Sequence, residues 1–222
     1  MIELIYGLLA LAALFLCVIP HEVAHGYVAW RLGDPTAKAA GRLTLNPIKH
    51  LDPMGSVILP LGLLLLQQFI GGRLVVFGWA KPVPINPYYF RDTWKGTLYV
   101  SLAGPGANFA MALVAAGLGR GLVALGVRNA YVLAFVALIV LLSLVLGLFN
   151  LLPVPPLDGS KVLAYFLPVR WRLALLRWEQ FGLVIVVALL FLGVLQVVFT
   201  GAEAIAFRLI GLRWALLSGL WG

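Results

Sequence analysis

The chain has 222 residues, 63% of them hydrophobic and only 11% charged, with a formal net charge of +8. A soluble domain is nearer half apolar and a quarter charged, and a core of this length cannot bury so much apolar surface beneath so few polar residues. An ordinary soluble protein is therefore excluded. So is nucleic-acid binding: there is no Lys/Arg stripe or aromatic-basic motif, and positive charge bordering membrane spans accounts for the excess.

Apolar segments follow one another along the chain. The first, 4–30, is preceded by no basic stretch and no small-residue cleavage site, so it reads as a retained span rather than a signal peptide. It holds the lone cysteine, Cys17, so no internal disulfide forms. The second, 55–77, is a poor span: Pro60 and Gly62 interrupt its beginning, and Gln67 and Gln68 sit in its middle. Its cleanest stretch is about 13 residues, where a crossing helix needs about 20. The segments 96–119, 131–152 and 181–199 are long enough to cross. The last, 204–221, carries Arg208 and Arg213 and suits either a short span or an interfacial helix.

The expected fold is an all-α polytopic membrane protein with about five to six transmembrane helices in one domain, 1–222. Core spans cover about 4–30, 96–119 and 131–152. A re-entrant or extended segment at about 54–77 lies between the first two, and accessory helices cover 181–199 and 204–221. Loop charge supports the re-entrant reading. If 55–77 crosses, Lys and Arg in the flanking loops divide six against eight; if it returns to its own side, they divide twelve against two. Cytoplasmic loops carry the Lys/Arg excess. The N-terminus is then outside, in a multi-pass cell-membrane protein, and non-helical backbone at membrane depth must be covered by protein or water.

The sharpest local signal is His21-Glu22-Val23-Ala24-His25. At helical spacing the two histidines share a face, with Cβ atoms roughly 5–6 Å apart. Two such imidazoles can hold one zinc ion, and Glu22 beside them can take a proton from a metal-activated water. Ionisable residues so deep in an apolar run are a functional signal by default. A zinc hydrolase needs a third protein ligand, and two candidates are open. One is His50, within Asn46-Pro47-Ile48-Lys49-His50. The other is Asp158, which follows the 131–152 span through Pro153, Pro155 and Pro156. That proline run cannot continue a helix, so it leaves an unwound segment able to aim a carboxylate. Asp158 meets the histidines only if the first and fourth segments run parallel, which a re-entrant second segment provides.

Three motifs together resemble the site-2 protease family: His21-Glu22-x-x-His25, Gly104-Pro105-Gly106-Ala107-Asn108, and Asn150-x-x-Pro153-x-Pro155-x-x-Asp158-Gly159. The stretches from Gly33-Asp34-Pro35 through Asp52-Pro53-Met54-Gly55, with Phe77-Gly78-Trp79-Ala80-Lys81-Pro82-Val83-Pro84, look like its compact prokaryotic branch, without PDZ or CBS domains. The pair Pro155-Pro156 departs from the family's single proline. The resemblance implies one Zn2+ per chain on His21, His25 and Asp158, and Glu22 as catalytic base. It also implies an intramembrane metalloendopeptidase acting on transmembrane protein substrates; loop charge puts the site, near the inner end of the first span, toward the cytoplasm. Asn150 and Asn108, polar residues in apolar runs, are candidates to hydrogen-bond substrate or the developing oxyanion, with interhelical packing as the plainer role. His50 is a further candidate near the site, with loop organisation as its plainer role. The extended 81–85 stretch suits edge pairing with an unwound substrate. A metal transporter is the rival class, but it would spread carboxylates and histidines over several spans, and here they converge.

Overall fold

The computed structural model describes residues 2–58, 61–62, 65–66 and 81–211, and every regular element among them is helical. The chain runs through α1 (Ile2–Arg31), the single turn α2 (Thr36–Ala39), α3 (Thr93–Ala124), α4 (Ala130–Asn150), α5 (Asp158–Phe166), α6 (Val169–Arg177), α7 (Gly182–Phe191) and α8 (Val194–Ile210). Local chemistry sets the ends of the long helices. Asp92 accepts from the backbone N–H groups of Trp94 and Lys95 to start α3, and Asn129 accepts from Val132 to start α4.

Among the described residues α1, α3 and α4 are long and apolar enough to cross a bilayer. Only 22%, 33% and 50% of their most apolar windows are buried inside the protein, so lipid must cover the remainder. A fourth crossing arises only if the bent pair Val169–Phe181 and Val184–Phe191 counts as one span. The described residues thus support three to four spans rather than five to six. The expected re-entrant stretch 54–77 and the end of 204–221 lie largely outside those residues. The single helix expected over 181–199 is instead two, because Gly193 turns into the left-handed region at φ +73° and separates α7 from α8.

Pairwise contacts fix the directions of the core helices. The Tyr6 and Tyr131 rings meet at a tilt with centroids 5.9 Å apart, and Ser143 donates to Cys17 Sγ at 3.2 Å, so α1 and α4 run parallel. His25 lies beside Val100 and His21 beside Asn108, so α3 runs antiparallel to α1. Residues 32–92 therefore leave and rejoin the bundle at the same end. Small residues, including Ala112 and Ala116 of α3, Ala137 of α4 and Ala202 and Ala206 of α8, form the centre of the main core. They let helix backbones approach where lipid offers no hydrophobic drive for association.

Candidate metal centre

His21 and His25 project from one face of α1, and their Nε2 atoms lie 3.0 Å apart. Asp158 arrives from the other side. After α4 ends at Asn150, residues 151–157 turn through the three prolines, and α5 opens on Asp158 itself. Its Oδ2 lies 3.4 Å from His21 Nε2 and 3.1 Å from His25 Nε2. Gly159 is dictated by the same turn: a Cβ there would collide with the backbone carbonyl of Leu151. The three donor atoms form the one candidate metal cluster among the described residues.

Hydrogen bonds behind the histidines fit this cluster to a cation. The carbonyl of Val100 can only accept, so the 2.7 Å contact with His25 Nδ1 places the ring proton there and leaves Nε2 a bare lone pair. That lone pair faces a carboxylate oxygen and a second imidazole nitrogen, an arrangement of acceptors that a cation must hold together. On His21, Nδ1 lies 3.1 Å from the Asn108 amide nitrogen, while Asn108 Oδ1 is buried with no partner. Turning that amide over places Oδ1 on Nδ1–H and gives His21 the same tautomer as His25. The three donor–donor separations also bracket the roughly 3.3 Å edge of a tetrahedron built from zinc bonds of about 2.0–2.1 Å. The residues present fit a zinc ion.

Packing of α3 against the histidines explains the Gly-Pro-Gly-Ala-Asn motif. A Cβ on Gly104 would lie 2.6 Å from His21 Cε1 and closer still to His25. Only glycine lets the α3 backbone pass there, and one turn later it delivers Asn108 to His21.

Glu22 opens onto a cavity of about 440 Å³ that also exposes the three candidate ligands, Val83 and Asn150. Its Oε2 accepts from the backbone N–H of Val83 at 2.9 Å. The extended stretch 81–86 is pinned at two further points: Lys81 donates to the His50 carbonyl at 2.9 Å, and Asn86 donates to Asp34 Oδ2 at 2.6 Å.

The other expected residues fall in different places. Asn150 lines the cavity and donates to Leu146 O at 3.0 Å. Asn108 is fully buried behind His21 and is not among the residues lining the cavity. His50 is buried away from the cluster, with Nε2 2.8 Å from Thr44 O, where it organises the 42–50 loop. Asp52 accepts from the N–H groups of Met54 and Gly55 as a turn residue.

Three participants escaped the sequence reading. Asp34 is fully buried and also accepts from Thr36. Its Asp-Pro-Thr setting signals a local turn, but nothing local reveals its distant partner Asn86. Lys161 and Glu179 line the cavity as an ion pair at 3.8 Å. Lys161 sits one helical turn after Asp158, which places it in advance; Glu179 has no such signal.

Comparisons with known proteins show the family. The profile of peptidase family M50 matches residues 121–193, which include Asp158. YwhC of Bacillus subtilis, named as a zinc metalloprotease, is 38% identical over 174 residues, covering 76% of this chain and 74% of YwhC. Rip2 of Mycobacterium tuberculosis, named likewise, is 34% identical over 218 residues, covering 95% of this chain and 80% of Rip2. No solved structure matches significantly. The chain belongs to peptidase family M50, the site-2 protease family that its three motifs resemble.

Proposed function

We propose that this chain, a membrane zinc metalloprotease by its family, hydrolyses peptide bonds within or beside the transmembrane segments of membrane protein substrates. The observation that carries this reading is the meeting of His21, His25 and Asp158 beside Glu22 in one cavity between apolar helices.

His21, His25 and Asp158 would hold the zinc ion, and Val100 and Asn108 orient the two imidazoles. Zinc in such a site supplies a Lewis acid that lowers the pKa of water toward neutrality and polarises a carbonyl. Glu22 takes the proton of the attacking water and passes it to the leaving amine. Its bond to Val83 N–H holds the carboxylate in the orientation this needs. Asn150, at the cavity wall, offers amide protons to the substrate or to the developing oxyanion. A helical substrate must unwind before its peptide bond is accessible, and the 81–86 stretch gives the unwound chain a wall to lie along.

The parallel course of α1 and α4 puts the Lys/Arg-rich loops and the metal site at one end of the bundle, and that charge excess supports a topology with an external N-terminus and a site near the cytoplasmic face. The test is reconstitution in liposomes with zinc and a model transmembrane substrate, mapping cuts by mass spectrometry. Cuts within or flanking the transmembrane segment are expected. Cleavage confined to a soluble domain, or zinc flux without cleavage, overturns the reading.

A further inference from the structure

The segment after the Asp158 helix has two unlike sides. On its inner side, Arg172 donates to the carbonyls of Ala164, Tyr165 and Leu167 at 2.7, 2.9 and 3.1 Å, which closes the end of α5. The same guanidinium lies 4.2 Å over the Trp94 ring of α3. Glu179, in the turn Trp178–Phe181, reaches Lys161 across the metal cavity. On its outer side Arg170 and Arg177 are exposed together with Trp171 (64%), Trp178 (58%), Leu173 and Phe181.

Neither water nor hydrocarbon suits that outer side. Four exposed large apolar side chains within thirteen residues are too many for a solvated face, and two arginines with no ion pair among the described residues do not sit in acyl chains. Arginine interleaved with tryptophan belongs at the headgroup layer, where the rings sit at the boundary and the cations reach phosphate. The direction of the chain agrees with this. Val169–Phe181 is bent by 83° from Val184–Phe191, which is wholly apolar. The two pieces cannot both lie along the bilayer normal, and the one that carries the arginines is the one suited to the plane of the membrane. The single acid in 169–181, Glu179, is on the inner side and paired with Lys161, so the outer side is purely cationic.

We propose that residues 169–181 dock onto anionic phospholipid headgroups of the leaflet nearest the metal site, with Arg170 and Arg177 on the phosphates. Docking there fixes one wall of the cavity, because the same segment holds α5 through Arg172 and meets Lys161 through Glu179. The membrane placement of α1, α3 and α4 underlies this; the catalytic roles do not.

The test reads depth without any substrate. Spin labels are placed singly at Leu173→Cys and Gln180→Cys, which share a face, in a Cys17→Ala background. The vesicles are phosphatidylcholine with about a third phosphatidylglycerol, a composition with a negative surface potential. Both labels should sit at the same headgroup depth. Arg170→Gln with Arg177→Gln, or vesicles of phosphatidylcholine alone, should shift both labels toward water. Labels that differ in depth by about 10 Å would show a crossing helix and overturn the proposal. Labels in bulk water, or a depth indifferent to both arginines and to the anionic lipid, would overturn it too. Failure here leaves the catalytic reading intact, and a failed cleavage assay leaves this measurement unaffected.

Discussion

The backbone N–H of Val83 donates to Oε2 of Glu22 at 2.9 Å, linking α1 to a proline-alternating stretch 61 positions away. Pro82 and Pro84 flank it without donors of their own, so Val83 presents an isolated amide to the carboxylate. Gly26 makes the approach possible, since a Cβ there would lie 2.7 Å from Val83 Cγ1.

Val83→Pro removes that donor and should lower kcat by about a hundredfold, the scale of a misplaced catalytic group, with zinc content unchanged. Ile85→Pro leaves the Glu22 bond in place and should act chiefly on KM, through the wall along which substrate lies. Combining the two should abolish cleavage while the protein stays folded in a thermal melt. Unchanged turnover in the double variant removes the role given to this stretch.

Gly104→Ala tests the close approach of α3. The new methyl must displace the imidazoles or the helix, and overpacking of this kind costs about 1–3 kcal/mol. Loss of zinc binding together with a lower melting temperature is expected. Gly117→Ala, on the same helix with open space at its Cβ position, is the control and should lower neither, since alanine favours a helix interior over glycine.

Asn108→Ala should weaken zinc affinity by about 10–100-fold, the usual effect of losing a group that orients a metal-binding histidine. Asn108→Asp keeps an acceptor facing His21 Nδ1 and should restore most of that affinity. Equal loss in both variants would show that Asn108 serves packing alone.

His50 and Asp158 separate in the same zinc assay. His50→Ala should keep one zinc per chain but loosen the 42–50 loop, where Arg42 also donates to Lys49 O. Asp158→Asn should lose the metal. The opposite pattern would make His50 the third ligand.

The histidine pair was legible because helical periodicity alone places positions 21 and 25 on one face. The helix starts were legible from Asp92 and Asn129, whose capping chemistry is local. The proline run at 153–156 signalled that Asp158 leaves the helix line, and loop charge required residues 32–92 to start and finish at one end of the bundle. What the residues withheld depends on contacts between distant segments. No local pattern pairs Val83 with Glu22 or Asp34 with Asn86, because an extended stretch reveals its partners only once neighbouring helices are in place. Asn108 shows the same limit: a polar residue in an apolar run announces a hydrogen bond, but whether it meets substrate or a histidine depends on helix rotation. The break at Gly193 was hidden by the continuous hydrophobicity around it, which reads as one helix.

Glu22→Gln, purified, loaded with zinc and reconstituted with a transmembrane substrate, tests the account most directly. Cleavage should disappear while one zinc per chain stays bound to His21, His25 and Asp158. Continued cleavage by this variant, or loss of its zinc, would contradict the assignment of Glu22 as the base beside an intact metal centre.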